Sequence, residues 1–402
     1  MALKSKPCAR APDPLTPGDA ALLERHRPFL RYDPQEAFRA CSARLLTDVE
    51  GARLLRADGA VIKMTGARRN PLTLVDLRRY PPGESESESD RIAAAAAGHG
   101  MPPLLQSDPR YRNRAYGRVA RKGGTRWLQY WFWLYHNHKN LFGWGHHEGD
   151  WEMIQIRLDS GDRPVSASYS QHEHGETRAW EDVEKWDEDP NHPVVYLAPF
   201  SHAAYFEAAT HFYGTGVDSP AADGPGVLPE LEPFGDWVGW PGRWGGDRGR
   251  RIVGTPVGRS PRSPGCQGHY RDPEAFERRQ GRRPWSAAIL TLSKVLFRIG
   301  YATVPREPVI ERVELDGDVR LAYACPRTLL RRPRHVVITV HDADDLEQRV
   351  VALVQLRGRN LLPVLAREVS LPLTDDVRRC FVRVSAYNRL RQRSTVAEAK
   401  TG

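Results

Sequence analysis

Short runs of alternating apolar and polar residues recur along most of the chain, which is the pattern of β-strands. Residues 127–135 form an aromatic run typical of a strand that is buried on both faces. Further strands are predicted at residues 28–33, 151–158, 164–170 and 194–198. Many short strands with few helical patterns predict an all-β fold: a β-sandwich with minor helices and long loops.

The last hundred residues have a different pattern, in which short, evenly spaced predicted strands are separated by turn signals such as Asp316-Gly317-Asp318. This spacing predicts a second, smaller β-sandwich. The segment Phe381-Val382-Arg383-Val384-Ser385-Ala386-Tyr387-Asn388 resembles the last hairpin of a fibronectin type III-like or immunoglobulin-like module, which implies a binding or positioning role rather than catalysis.

Breaks in this pattern predict four parts of the chain. Residues 1–20 are a flexible lead-in, 21–284 a large β-sandwich domain, 285–304 a helical linker and 305–402 the small sandwich. Two long loops interrupt the large domain, at 81–100, where Glu and Ser alternate, and at 215–284, which is rich in Gly and Pro.

The composition of the chain indicates where in the cell the protein is expected and how it can contact a membrane. The 402 residues contain no apolar run near the roughly 18 residues that a membrane-spanning helix needs. The start reads Met1-Ala2-Leu3-Lys4, without an apolar signal segment. We therefore expect a cytoplasmic protein without a transmembrane segment, for which peripheral membrane contact stays open. Its five scattered cysteines are expected to be free thiols.

The net charge of +9 raises the question of a nucleic-acid partner. Of the 59 basic residues 51 are Arg, a bias typical of a bacterial, GC-rich genome. Basic patches bind phosphate groups, but no nucleic-acid-binding motif accompanies this charge. We therefore expect the positive charge to lie on solvated loops rather than to bind nucleic acid.

One stretch concentrates groups that carry chemistry, Gly143 to Asp159, written GWGHHEGDWEMIQIRLD. Alternation along a strand places Asp150 and Glu152 on one face, in register with the apolar residues that follow. Two neighbouring carboxylates on a core face need a positive partner, and a divalent cation is the simplest one. Gly149 permits a tight bend that brings His147 toward the same point.

Other histidines are predicted to reach the same rim. His172 and His202 each follow a predicted strand. Two carboxylates with one imidazole favour magnesium, calcium or manganese, whereas extra imidazoles favour zinc or iron. The alternative is an ion pair of the carboxylates with one of the many arginines, for instance Arg157 or Arg178. The chain lacks the metalloprotease, phosphate-loop, dinucleotide and serine-hydrolase motifs.

The same residues carry a resemblance to known families. Gly145-His146-His147-Glu148-Gly149-Asp150-Trp151-Glu152 resembles the Gly-His-Arg-His-Asp-Trp-Glu heptad of the necrosis- and ethylene-inducing-like proteins, and the His-x-Gly-Asp-Trp-Glu segment of the vacuolar protein sorting-associated protein 62-related family. Ser170-Gln171-His172, Pro193-Val194-Val195-Tyr196 and Ser201-His202-Ala203-Ala204-Tyr205-Phe206 are similar to later blocks of the second family. The resemblance covers about residues 22–270 and implies a β-sandwich with a divalent metal held by His147, Asp150 and Glu152.

These observations favour a soluble metal-binding protein that docks an anionic or polyhydroxyl ligand, a lipid head group or a glycan, at the metal rim. Ligand contacts are assigned to Trp144, His146 and Gln171. The alternative is a metal-dependent hydrolase of phosphoester-type substrates, in which His172 or His202 acts as general acid or base. The sequence leaves open whether the protein is an enzyme.

Overall fold

The computed structural model describes most of the chain, with gaps. The described residues are 8–33, 36, 38–49, 51–65, 72–77, 90–93, 106, 108–137, 147–171, 174–199, 201–209, 211–213, 216–218, 220–246, 251–252, 255–256, 260–278, 308–326, 335–344, 350–357, 366–373, 377–387 and 397–401. The predicted helical linker at 285–304 therefore lies outside the described residues.

Strands dominate the described residues, and the all-β prediction is confirmed. The first nineteen strands are β1 (Phe29–Tyr32), β2 (Arg53–Leu55), β3 (Val61–Met64), β4 (Arg91–Ala93), β5 (Arg114–Lys122), β6 (Thr125–Asn137), β7 (His147–Leu158), β8 (Pro164–Gln171), β9 (His174–Ala179), β10 (Lys185–Trp186), β11 (Asp189–Leu197), β12 (Ala204–Tyr205), β13 (His211–Tyr213), β14 (Gly216–Asp218), β15 (Gly226–Val227), β16 (Glu230–Glu232), β17 (Arg243–Trp244), β18 (Arg251–Ile252) and β19 (Thr255–Pro256). The last seven are β20 (Val309–Asp316), β21 (Asp318–Ala324), β22 (His335–Asp342), β23 (Val350–Arg357), β24 (Ala366–Pro372), β25 (Cys380–Tyr387) and β26 (Ala397–Lys400).

Helical segments are short. The α-helices are α1 (Pro17–Arg25), α2 (Arg44–Asp48), α3 (Gly268–Arg271) and α4 (Pro273–Arg278). Single 3-10 turns occur at Leu74–Leu77, Trp180–Asp182, Asp236–Gly239 and Pro264–Cys266. Helix α1 begins where Thr16 caps it, because the Thr16 hydroxyl accepts a hydrogen bond from the Asp19 N–H at 3.1 Å. Within the described residues, no helix is both long and apolar enough to cross a membrane.

A six-stranded sheet with the order β16-β5-β6-β7-β8-β9 is the centre of the large region. One face packs on a five-stranded sheet, β10-β11-β1-β15 with β12 beside β11, through a core that includes Leu128, Ile154 and Val195. The opposite face packs on the four-stranded sheet β17-β4-β2-β3 and on an aromatic cluster. The central sheet is therefore buried on both faces, as its aromatic strand predicted.

The aromatic cluster comes largely from a region predicted to be irregular loops. Trp237, Trp240 and Trp244 are buried there against Trp133 and Trp151. Short strands, 3-10 turns and helices α3 and α4 occur in the described part of 215–284, the region predicted to form long loops. The predicted packing by indole rings is confirmed.

The C-terminal strands form two sheets around a separate apolar core. One sheet has the order β20-β21-β24 and the other β23-β22-β25-β26, all with antiparallel pairing. Their shared core includes Leu321, Tyr323, Ile338 and Val382.

The prediction of five free thiols is wrong for two of them. Cys8 and Cys266 form a disulfide although 258 positions separate them in the sequence, while Cys41, Cys325 and Cys380 are free and buried. Spacing cannot reveal such a pair, because only the folded chain brings the N-terminal segment next to residues 264–266.

Candidate functional site

The candidate site is the first half of β7, where the face that is apolar further along the strand carries acidic residues. Asp150 and Glu152 are 8% and 7% exposed, and they precede Ile154 and Ile156 of the core on the same strand. The predicted alternation is therefore correct. The strand begins at His147, four residues earlier than predicted, because Asn137 and His136 of β6 pair with His147 and Glu148.

Gly149 is needed at the centre of this stretch. Its φ is +68°, and a Cβ at this position would lie 2.0 Å from the Trp244 carbonyl oxygen and 2.2 Å from the Trp133 ring. Nδ1 of the His147 ring lies 2.6 Å from the Gly149 carbonyl oxygen. Glycine therefore permits both the backbone turn and the close approach of the loop that carries Trp244.

His202 supplies the positive partner of the carboxylates. Its Nδ1 lies 3.0 Å from Oδ2 of Asp150, and its Nε2 lies 3.7 Å from Oε2 of Glu36. Burial by itself lowers the pKa of His202, but the Glu36 charge and the hydrogen bond to Asp150 raise it to about 9. The imidazole is therefore protonated at neutral pH, and it is a positive partner of Asp150 and Glu36.

The backbone of His202 is itself unusual. Its φ of +55° is in the left-handed region, which non-glycine residues seldom adopt. The residue lies in the turn between β11 and β12, where its N–H donates to the Ala198 carbonyl at 3.0 Å. The preceding Ser201 hydroxyl donates to Asp218 at 2.7 Å, and the Tyr205 hydroxyl donates to the other oxygen of that carboxylate at 2.7 Å. Both sides of the turn are thus anchored to one buried carboxylate.

Glu152 is held by a different group. The Ser170 hydroxyl donates to Oε2 of Glu152 and accepts a hydrogen bond from the Met153 N–H at 3.0 Å. Burial raises the pKa of Glu152 well above its usual value, and the nearby Asp150 charge raises it further, while Ser170 and His202 act in the opposite direction. The Asp150 carboxylate is therefore close enough to raise the pKa of Glu152.

The described hydrogen bonds of Asp150 and Glu152 involve one oxygen of each carboxylate. The hydrogen bonds of Asp150 with Asn137 and His202 use Oδ2, and that of Glu152 with Ser170 uses Oε2. Among the residues that the structure describes, no donor contacts Oδ1 of Asp150 or Oε1 of Glu152. Within the described residues, the site therefore offers two carboxyl oxygens that no donor contacts.

Arg157 and Arg178, the two arginines named for the alternative ion pair, contact other carboxylates. Arg157 pairs with Glu277, and Arg178 with Glu176 and Glu207. Of the other predicted site residues, Gln171 donates to Glu176 at 3.2 Å across the β8–β9 hairpin. Trp144, His146 and His172 lie outside the described residues.

A divalent cation is only partly compatible with these residues. Carboxylate oxygens and an imidazole are suitable donors for the predicted metals. However, no three His, Cys, Asp or Glu side chains in the described part of the chain gather closely enough to hold one ion. The metal at His147, Asp150 and Glu152 therefore remains a prediction.

Sequence reasoning missed four members of the site. Glu36, Asn137, Ser170 and Asp218 are all buried beside the predicted residues. Glu36 follows β1 and Asp218 ends β14, so neither has a local pattern that marks it. Ser170 belongs to the Ser-Gln-His segment, and its placement at the end of a strand beside β7 was the available signal.

The fold and the site define a mostly β protein with a buried carboxylate–histidine cluster at the end of a central strand. No protein-family model and no curated protein matches the chain. Nothing thus supports membership of the vacuolar protein sorting-associated protein 62-related family.

Solved structures that resemble part of the chain include necrosis- and ethylene-inducing-like proteins. NLPPya in complex with mannosamine aligns at 15% identity with a TM-score of 0.29, covering 57% of this chain and 79% of that one. Necrosis and Ethylene inducing Protein 2 from the causal agent of cocoa's Witches Broom disease aligns at 16% with a TM-score of 0.28, over 57% and 79%. Non-toxic HaNLP3 aligns at 13% with a TM-score of 0.27, over 57% and 81%. TM-scores of this size do not establish a common fold or a common ligand.

Proposed function

We propose that the protein binds a polyhydroxyl ligand, such as a glycan, at the carboxylate–histidine cluster of Asp150, Glu152, His202 and Glu36. The observation that carries this proposal is the pair of unused carboxylate oxygens, Oδ1 of Asp150 and Oε1 of Glu152, beside a buried imidazolium. Carboxylate oxygens are strong acceptors for ligand hydroxyl groups.

The free-energy cost of burying this cluster supports a functional role for it. Burying several ionic groups rarely improves stability over apolar residues of similar volume. His202 in addition holds a left-handed backbone conformation, and such strain concentrates at binding and catalytic sites. The apolar half of β7 shows that this strand can build a core without charged residues.

The charges of the site favour a neutral or cationic ligand over an anionic one. Among the described residues, Glu36 and Asp150 are acidic groups in contact with the imidazolium of His202, and Glu152 lies close by. An anionic lipid head group or phosphate would be repelled unless a divalent cation joined the site. Metal-dependent docking of an anion is therefore a separate, testable form of the same proposal.

A hydrolase that uses His202 as general base has less support. His202 is fully buried, and its pKa of about 9 keeps it protonated at neutral pH. A general base must be unprotonated and must reach the substrate. Turnover of a phosphoester by the purified protein, lost in His202→Gln, would nevertheless favour the enzyme.

Calorimetric titration with D-mannosamine and with inorganic phosphate, each with EDTA and with added manganese, tests the proposal. We expect binding of the amino sugar in EDTA, at least tenfold weaker in Asp150→Asn, because one charged hydrogen bond is worth about 1.5–3 kcal/mol. Asp159→Asn is the matched control, since Asp159 follows the other end of β7 and pairs with Arg163.

Two results would count against it. Equal affinity in wild type and Asp150→Asn would place any sugar elsewhere, and binding of phosphate alone, only with manganese, would replace the polyhydroxyl hypothesis by metal-dependent anion docking. Elemental analysis of wild type beside an Asp150→Asn/Glu152→Gln variant tests the predicted metal directly: a metal lost in the variant supports it.

The C-terminal strands also fit the predicted fibronectin-like module. A three-stranded and a four-stranded antiparallel sheet around one core support this proposal. Such a module would position the larger region or bind a partner, and the expression of residues 305–402 as an independently folding unit would support it.

A further inference from the structure

The Cys8–Cys266 disulfide lies at one end of a chain of contacts that reaches the candidate site. The N-terminal segment beside the bond is tightly enclosed: the Ala9 N–H donates to the Gly265 carbonyl at 2.8 Å. A Cβ on Gly239 would lie 2.6 Å from the Ala9 carbonyl oxygen, and one on Gly265 2.8 Å from the same atom. The disulfide therefore fixes a segment that has little room to shift.

The second step runs from Cys266 to Trp244. The Cys266 N–H donates to the Ser263 carbonyl at 3.0 Å, within the turn that holds the cysteine. The Ser263 hydroxyl accepts a hydrogen bond from Nε1 of Trp244 at 2.7 Å and donates to the Trp237 carbonyl at 3.1 Å. The Trp244 N–H donates to the Pro261 carbonyl at 2.9 Å. Both the ring and the backbone of Trp244 are thus held by the disulfide-bonded segment.

The third step runs from Trp244 into β7. Its carbonyl oxygen faces Gly149 so closely that a Cβ there would lie 2.0 Å away. Next to it, the Gly246 N–H donates to the Glu148 carboxylate at 2.9 Å, and the Glu148 N–H donates to the Gly246 carbonyl at 3.2 Å. Residues 148 and 149 directly precede Asp150. The segment 243–246, which begins with β17, thus packs directly against the backbone that carries the Asp150 side chain.

We infer that the Cys8–Cys266 disulfide acts through Ser263, Trp244 and Gly149 as a redox-sensitive brace for the backbone at 147–152, so that reduction loosens the candidate site. That this regulates ligand binding rests on the proposed function. A small dithiol is the reductant. Its thiolate attacks one sulfur, which breaks the Cys8–Cys266 bond, forms a mixed disulfide and releases the other cysteine as a thiolate. The second thiol of the reductant then displaces the remaining cysteine and forms a cyclic disulfide, so that two electrons and two protons pass from the dithiol to Cys8 and Cys266.

The brace operates only where a disulfide forms, in an oxidising compartment or under oxidative conditions. The cytoplasmic location predicted from the sequence would keep the two thiols reduced and the site loose until an oxidant appears. A secreted or surface location would keep the site braced.

Amide hydrogen exchange in the full-length protein tests the inference, with and without dithiothreitol. We expect exchange at 147–152 to rise about tenfold on reduction, because local opening then needs fewer contacts to break. The apolar half of the strand, 154–158, is expected to change little. Ser263→Ala should raise amide exchange at 147–152 by a smaller factor, even while the disulfide is intact. Cys325→Ala is the control, because Cys325 is a free buried thiol of the C-terminal core.

The outcomes separate this inference from the proposed function. Unchanged exchange at 147–152 after complete reduction, verified by thiol titration, overturns the brace whatever the protein binds. Faster exchange with at least tenfold weaker D-mannosamine binding supports both proposals. Faster exchange in a protein whose oxidised form binds neither D-mannosamine nor phosphate supports the brace and rejects the proposed function. If reduction unfolds the whole chain, exchange rises equally at 154–158, and the inference of a local brace is rejected.

Discussion

The two halves of β7 lie in the same sheet, but one half buries apolar side chains and the other buries carboxylates. Ile154, Ile156 and Leu158 join an apolar core that needs only the right periodicity. Asp150 and Glu152, on the same strand, are buried almost as deeply but depend on donors from β6, β8 and the β11–β12 turn. A buried apolar residue needs volume, whereas a buried carboxylate needs particular partners, and the partners come from distant parts of the chain.

The largest expected loss of stability concerns the contact between the polar half of β7 and the segment 243–246. Gly149→Ala combines a left-handed backbone with a 2.0 Å clash against the Trp244 carbonyl, so we expect a loss of about 3 kcal/mol or more in urea unfolding. Gly123→Ala is the matched control, because Gly123 has a φ of +56° and no atom lies within 4 Å of the position that a Cβ would take there. It should lose only about 1 kcal/mol. Equal losses would show that the close approach is unimportant.

Replacing His202 should also be costly. His202→Gln removes the imidazolium that Asp150 and Glu36 share, which leaves buried carboxylates without their charge partner, and we expect a loss of about 3 kcal/mol at pH 7. Ile156→Ala, in the apolar half, should lose about 2–5 kcal/mol through a cavity. The two variants should differ in pH dependence, because only His202 titrates; parallel pH profiles would contradict this account.

Raising the pH should lower the free energy of unfolding, because the buried His202 of the site loses its proton. The pKa of His202 is raised from 6.5 to about 9, so its contribution is fully present below pH 6.5 and is lost as the pH rises through about 9. Glu36, Asp150 and Glu152 are the acidic groups around it. The raised pKa of Glu152 acts in the same direction, because above about pH 4.5 the unfolded chain releases its proton first. Urea midpoints from pH 6 to 10 should fall, and His202→Gln should flatten the decline.

The smallest expected effect compares two serines of β8. Ser170→Ala removes a donor to Glu152 and an acceptor for the Met153 N–H, and we expect a loss of about 2 kcal/mol. Ser168→Ala removes only one acceptor, for the Thr177 hydroxyl, and should lose about 1 kcal/mol. Thermal unfolding of both variants checks the order, and a reversed order would argue against a special role of Ser170.

Much of the strand pattern could be predicted from the sequence. The prediction at 127–135 fell inside β6, and the predicted shared face of Asp150 and Glu152 with Ile154 was correct, because both depend on neighbours along one strand. The disulfide was missed, and His202 was predicted to reach the rim of the site but not to be the charge partner of Asp150. Both depend on residues far apart in the chain, Cys8 with Cys266 and His202 with Asp150.

The amino-acid order by itself determined the β class, the core face of β7 and the crowding of ligand-type side chains at its start, since period-two alternation is a local property of the backbone. Only the tertiary structure decided that His202 is the charge partner of Asp150, that Glu36 lies beside it, that Cys8 pairs with Cys266, and that Trp244 packs against Gly149. The physical reason is distance: electrostatic and steric contacts act over a few ångströms, and strand alternation says nothing about which distant segment fills that space.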